Sequence, residues 1–124
     1  MIGGNTVALM GLGLPGELAA IVGADYQLVV GIGTAQVGAR SIVGDNAELN
    51  VSVGQTAVIL PFVQAVAEPV FAFNSSSTAT SALVFVPVGH TLNNTLNASL
   101  AVPQNKAAIF WQYKPKFWAS ILSV

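Results

Sequence analysis

Gly11-Leu12-Gly13-Leu14-Pro15-Gly16 has the spacing of a dinucleotide-binding loop, and the apolar run from Thr6 to Met10 could be the strand before it. That chemistry needs a long helix whose amino end faces the pyrophosphate, then an acid about 20 residues further on for the ribose. Here the helical pattern after the glycines is short, and neither Arg40 nor its neighbours is acidic. Glycine abundance accounts for the match. His90 is the only histidine in the chain. A nucleophilic triad would set it between a serine and Asp25 or Asp45, and no motif singles out a serine; following Gly89, it reads as an exposed turn residue. Asp45, Asn46 and Glu48 bring three oxygen donors together, fewer than the roughly six to eight that calcium takes, so a turn and a solvated strand face explain them. The absence of cysteine removes disulfide scaffolds, thiolate metal sites and thiol nucleophiles. No catalytic, cofactor-binding or metal site is expected, and an enzyme is not expected.

The side chains that could dissolve the molecule are as scarce as those that could react. Nine charged residues serve 124 positions, with a net charge of −1 and a mean hydropathy of +0.68. A folded chain of this size exposes on the order of 6,000 Å², and soluble surfaces are about a quarter to a third charged residues. Asn, Ser, Thr and Gln must therefore do the solvating, or other protein must cover part of the surface. There is no basic field to hold a phosphate backbone, so nucleic-acid binding is not expected. The longest uncharged stretch, Pro69 to Asn105, is broken by Asn74-Ser75-Ser76-Ser77-Thr78 and Asn93-Asn94-Thr95, short of the roughly 20 apolar residues of a membrane span. The first residues lack the positive region of a secretory signal, so the expectation is a non-exported chain with no membrane segment. The Asn-x-Ser/Thr triplets at Asn50, Asn74, Asn93 and Asn97 then reflect composition. All five acids lie in residues 1–68 and three of the four bases in 69–124, a polarity that would suit head-to-tail contact between copies.

Two parts are visible. Residues 1–23 form an apolar, glycine-rich arm in which Leu14 to Gly23 predicts one short helix: Pro15 at the first position, Glu17 in the first turn, Gly23 at the end. Leu14, Leu18 and Ile21 share a face, and so short a helix needs a partner for it. Residues 24–124 predict a single β domain, an antiparallel β-sandwich or small barrel, from turn signals recurring at the spacing of such folds. Glu48–Val53 alternates so that Leu49, Val51 and Val53 point inward, after a hairpin-type turn at Gly44-Asp45-Asn46. Ala57–Leu60 and Leu83–Val86 are apolar on both faces, so both faces should be covered, and Val70–Phe73 is a further short strand. Pro103-Gln104-Asn105 and Lys114-Pro115-Lys116 are turns bracketing Ala107–Tyr113, with a last strand at Phe117–Leu122. Phe110, Trp111, Tyr113, Phe117 and Trp118 fall on these last two strands as cross-strand neighbours. One set enters the core, and the other needs a partner.

The order of these features resembles a family of small proteins of tailed bacteriophages encoded near the major capsid protein, of the head-decoration (cement) or head-fibre kind. The likeness is carried by Leu12-Gly13-Leu14-Pro15-Gly16-Glu17-Leu18-Ala19, then Phe73-Asn74, Ala82-Leu83-Val84-Phe85-Val86-Pro87-Val88-Gly89 and Thr91-Leu92-Asn93. Leu100-Ala101-Val102, Lys106-Ala107-Ala108-Ile109-Phe110 and Trp118 complete it. It covers residues 12–22 loosely and about 56–124 better; between Gly23 and Gln55 only general β character is shared. The basic turn Lys114-Pro115-Lys116 departs from the pattern.

The resemblance implies a β-rich domain, a trimer in such families, sitting on the outside of a phage head and reinforcing contacts between capsomers. It carries no catalytic residues. On this reading the chain is assembled in the host cytoplasm and resides on the outer capsid surface, with the major capsid protein and further copies of itself as partners. Leu12, Leu14, Leu18 and Ile21 are the expected capsid-docking residues, and Trp111, Tyr113, Phe117 and Trp118 the expected oligomer interface. The alternative is a head-fibre or β-sandwich module recognising host glycans, through exposed aromatics and the Asn74–Thr80 and Asn93–Asn97 loops.

Overall fold

The computed structural model describes residues 26–124. The arm at 1–23, its helix and its four docking residues lie outside the described residues. Among the described residues every regular element is a strand, as expected of an all-β chain.

The first six strands alternate between two sheets. β1 (Tyr26–Val30), β3 (Asn46–Asn50) and β5 (Val70–Asn74) lie side by side in a seven-stranded sheet. Between them the chain crosses to β2 (Arg40–Ser41), β4 (Ala57–Ile59) and β6 (Ala82–Phe85), which build a four-stranded sheet. Each time round, the chain re-enters a sheet in the same direction, so β1, β3 and β5 are parallel, as are β2, β4 and β6. The chain is wound through three turns rather than folded in hairpins.

It then reverses. β7 (Thr91–Leu92) and β8 (Thr95–Leu96) form the far edge of the larger sheet, and β9 (Ser99–Val102) runs antiparallel to β6. β10 (Ala107–Lys114) runs antiparallel to β5 and pairs in a hairpin with β11 (Phe117–Leu122). Among the described residues five of the nine ladders are parallel, which corrects the antiparallel expectation to mixed sheets.

One apolar cluster takes side chains from both sheets: Val29, Leu49, Val70, Phe110 and Trp118 from the larger, Val58, Ala82, Val84 and Val102 from the smaller. The larger sheet contributes its small residues as well. Ala47, Ala72 and Ala108 are register neighbours, and all are buried. With alanines inside, the phenylalanines that alternate with them on β5 face out.

The winding corrects three local readings. Gly44-Asp45-Asn46 connects the smaller sheet to the larger and closes no hairpin; the Asp45 carbonyl instead accepts the Phe71 amide. Val53 is 89 % exposed, because Ser52 and Gln55 exchange backbone hydrogen bonds across Val53-Gly54. That two-residue turn takes Gly54 into the left-handed region (φ +79°), which glycine enters without steric cost. His90 is buried, not exposed. Of the strands expected to be covered on both faces, Val58 and Val84 are fully buried on the inner face, while on the other face Ala57 is buried and Ile59, Leu83 and Phe85 are half-buried.

Candidate docking face

Side chains on the outer face of the larger sheet follow from the register. One row across five strands reads Tyr26, Asn46, Phe71, Ile109, Ile121, and the next reads Leu28, Glu48, Phe73, Ala107. Trp111 opposite Ala119 starts a third. Phe71 and Phe73 are 41 % and 42 % exposed, Leu28 52 % and Ile121 60 %. Isolated exposed apolar residues are ordinary on protein surfaces, whereas a contiguous set marks a contact surface.

A polar stripe on β3 crosses this face. Glu48 accepts hydrogen bonds from the Tyr26 hydroxyl at 2.6 Å and from the Ser75 hydroxyl. The Ser75 bond, then the Tyr26 bond, holds the carboxyl below its usual range, against a smaller opposing effect of desolvation. The same bond to Glu48 raises the Tyr26 phenol, with desolvation and the carboxylate charge adding to it. Glu48 therefore stays ionised and satisfied among apolar neighbours, and it locks β1 to β3 and to the end of β5.

The four aromatics expected at an oligomer interface divide. Trp111 lies on the outer face, half-buried. Tyr113 is exposed and Phe117 half-buried, their rings 6.1 Å apart at the hairpin tip, and Lys114 Nζ sits 4.3 Å from the Phe117 ring centroid. Tyr113 donates to Asn94 Oδ1 at 3.2 Å. Trp118 is a correction: it is fully buried in the core, so it is not at an interface. Its parity explains why, since it pairs with buried Gln112, whereas Trp111 pairs with Ala119 on the other face.

Trp118 Nε1 donates to His90 Nδ1 at 3.1 Å, and the Phe62 ring packs 5.4 Å from the imidazole. Burial, reinforced by the Lys116 charge, pushes the histidine below its ordinary range. A triad base needs Nδ1–H donating to a carboxylate; here Nδ1 accepts, so His90 is arranged as a neutral core histidine. Asp45 Oδ1 accepts from Gln64 at 3.0 Å, and the described residues contain no cluster of His, Asp and Glu able to hold a metal ion. No helix among them is long and apolar enough to cross a membrane.

A second apolar feature is a cavity of about 470 Å³ lined by Ile42, Val43, Ile59, Leu60, Phe62 and Val88, among others. It opens beside β2, at the edge of the smaller sheet.

Sequence reasoning missed Tyr26, Leu28, Phe71, Phe73, Ile109 and Ile121. The signal was present in Val70-Phe71-Ala72-Phe73-Asn74, where both large rings share one parity and the small residue holds the other. Neither a family model nor a curated protein matches the chain.

Proposed function

We propose that this chain is a viral structural protein that decorates the outer surface of a tailed-phage capsid as an oligomer, a trimer on the resemblance, and stabilises contacts between capsomers. The observation that supports it is the outer face of the larger sheet, where Phe71, Phe73, Ile109 and Ile121 lie side by side and Tyr26 and Leu28 add apolar surface beyond the β3 polar stripe, on a chain with nine charges. Burying such area is favourable by about 25 cal/mol per Å², which would hold copies to one another on the shell while the arm docks them across capsomer junctions. The domain is a two-layer β-sandwich in this reading, with residues 1–23 and their short helix as the arm. Leu12, Leu14, Leu18 and Ile21 dock to the major capsid protein. Trp111, Tyr113 and Phe117 join the outer-face residues in contacts between copies.

The test is co-sedimentation with shells of the cognate major capsid protein that this reading requires. The full chain should pellet with shells, and a chain lacking residues 1–22 should stay in the supernatant. Full binding by the truncated chain would overturn the docking assignment, and no binding by the full chain would overturn the decoration reading.

A second reading is favoured by the polar stripe. Asn46, Glu48 and Asn50 on β3 lie between Tyr26 and Leu28 on one side and Phe71 and Phe73 on the other. Ring faces flanking amide and carboxylate groups suit a pyranose, whose apolar face stacks while its hydroxyls hydrogen-bond. A glycan array tests it: binding lost in Phe73→Ala and Trp111→Ala, with the fold kept, would favour host-glycan recognition over cementing.

A further inference from the structure

Among the described residues the strands of the larger sheet carry two charges, Glu48 on β3 and Lys114 at the end of β10. By strand parity Lys114 would share the inward face of buried Gln112. The ladder instead shifts register between Gln112 and Lys114, so that Lys114 pairs with Phe117 and its Nζ lies over the Phe117 ring. A bulge re-aims a side chain, and this one turns the ammonium to the outer face. Lys116, past the turn, bears on His90 instead.

Neither charge is neutralised within the described residues. Every Lys and Arg of the chain lies among them (Arg40, Lys106, Lys114 and Lys116), and none pairs with Glu48, whose oxygens take the Tyr26 and Ser75 hydroxyls. Each carboxylate oxygen keeps a lone pair beyond that bond. Lys114 has the Phe117 ring beside it and, among the described residues, no carboxylate. The two cannot meet in one molecule. Glu48 stands in the row of Phe73 and Ala107, whereas Lys114 lies at the other end of β10 and two strands over, about 25 Å away.

Covering the outer face would strip water from both ions. A buried charge is tolerated when an opposite charge and hydrogen bonds meet it. A second copy of the chain brings both partners on the matching face, a Lys114 for Glu48 and a Glu48 for Lys114.

We infer that copies associate head to tail through this face, the β1–β3 side of one against the β10–β11 hairpin of the next, with Lys114 of one copy donating to Glu48 of the other. This orientation rests on the proposed oligomer and adds how its copies face one another. Each copy turns Glu48 to one neighbour and Lys114 to the other, a heterologous contact of the kind that closes rings.

Sedimentation equilibrium of full-length variants tests it, with far-ultraviolet dichroism confirming the fold. Lys114→Glu sets two carboxylates at every junction and should raise the concentration for half-dissociation at least about tenfold at low salt. Glu48→Lys with Lys114→Glu in the same chain should restore the wild-type value. Mixing chains carrying Glu48→Lys with chains carrying Lys114→Glu should not restore the trimer, because an odd ring cannot alternate and leaves like charges at one junction. If the double reversal fails to fold, a neutral set decides. Glu48→Gln still bonds both hydroxyls, and Glu48→Gln with Lys114→Met should weaken association no more than either change alone. A trimer indifferent to Lys114→Glu, losses that add in the neutral set, or full recovery on mixing would each overturn the inference while leaving the oligomer standing. A wild-type monomer would overturn it together with the proposed function.

Discussion

Replacing Asn74 by Asp should be among the most damaging single-atom-scale changes this molecule can suffer. Asn74 is fully buried at the end of β5. Its Nδ2 donates to the carbonyls of Thr80 and Val102, both at 2.9 Å, and its Oδ1 accepts the Ser76 amide at 3.0 Å. The Val102 bond ties the larger sheet to β9 of the smaller one.

Aspartate keeps the Ser76 bond but turns an oxygen toward two carbonyl oxygens. Each buried carbonyl left without a donor costs about 1–3 kcal/mol, and the burial of a carboxylate adds to that. The expected loss is about 4 kcal/mol or more, a large share of the roughly 5–15 kcal/mol that holds a domain folded. Urea unfolding followed by tryptophan fluorescence reads it as a shift in midpoint at constant slope.

The sign of the pH dependence is fixed too. Burial against two carbonyls raises the carboxyl above its unfolded value of about 3.9. Between those two values the native variant holds the extra proton, so its deficit relative to wild type shrinks as pH falls. A deficit under about 1 kcal/mol near neutral pH, or one that grows on acidification, would refute the reasoning.

Gly31→Ala should cost about 1–3 kcal/mol in the same assay, because the new methyl must displace the Gln55 backbone rather than a flexible side chain. His90 is held neutral, so the unfolded chain binds its proton first. Wild-type stability should therefore fall as pH drops below about 6.5, and His90→Gln should flatten that slope in urea titrations across the range. Trp118→Phe leaves His90 Nδ1 without its donor and should cost at least about 1–3 kcal/mol, with the thermal midpoint lowered accordingly. Phe71→Ser with Phe73→Ser should lower the urea midpoint and remove its dependence on protein concentration, which the wild-type chain should show, because both rings lie on the outer face that copies share.

The strands themselves were legible. Alternation placed Leu49 and Val51 inside, the two turns at 103–105 and 114–116 bracket β10, and Phe117–Leu122 is β11. Their connections were not legible. A parallel winding and a chain of hairpins use the same alternating strands and the same turn residues; only the sheet to which each strand returns distinguishes them, and that is set by contacts far apart in sequence.

The docking face was hidden for a different reason. Hydrophobicity by itself sends Phe71 and Phe73 inward and Ala72 outward. The structure does the reverse because Ala47, Ala72 and Ala108 form one low row at the sheet–sheet contact. Trp111 and Trp118 were equivalent in composition, and the register of one hairpin decided which of them is core. His90 looked exposed from Gly89, yet the indole of Trp118, distant in sequence, draws it inside.

Everything proposed for this chain requires that the outer face of the larger sheet be covered by other protein. Sedimentation equilibrium of the purified full-length chain measures this most directly, because copies sharing that face need no capsid to associate. A trimer mass is expected for the wild-type chain, and the monomer for Phe71→Ser with Phe73→Ser at unchanged far-ultraviolet dichroism. A wild-type chain that remains a single copy at high concentration would contradict it.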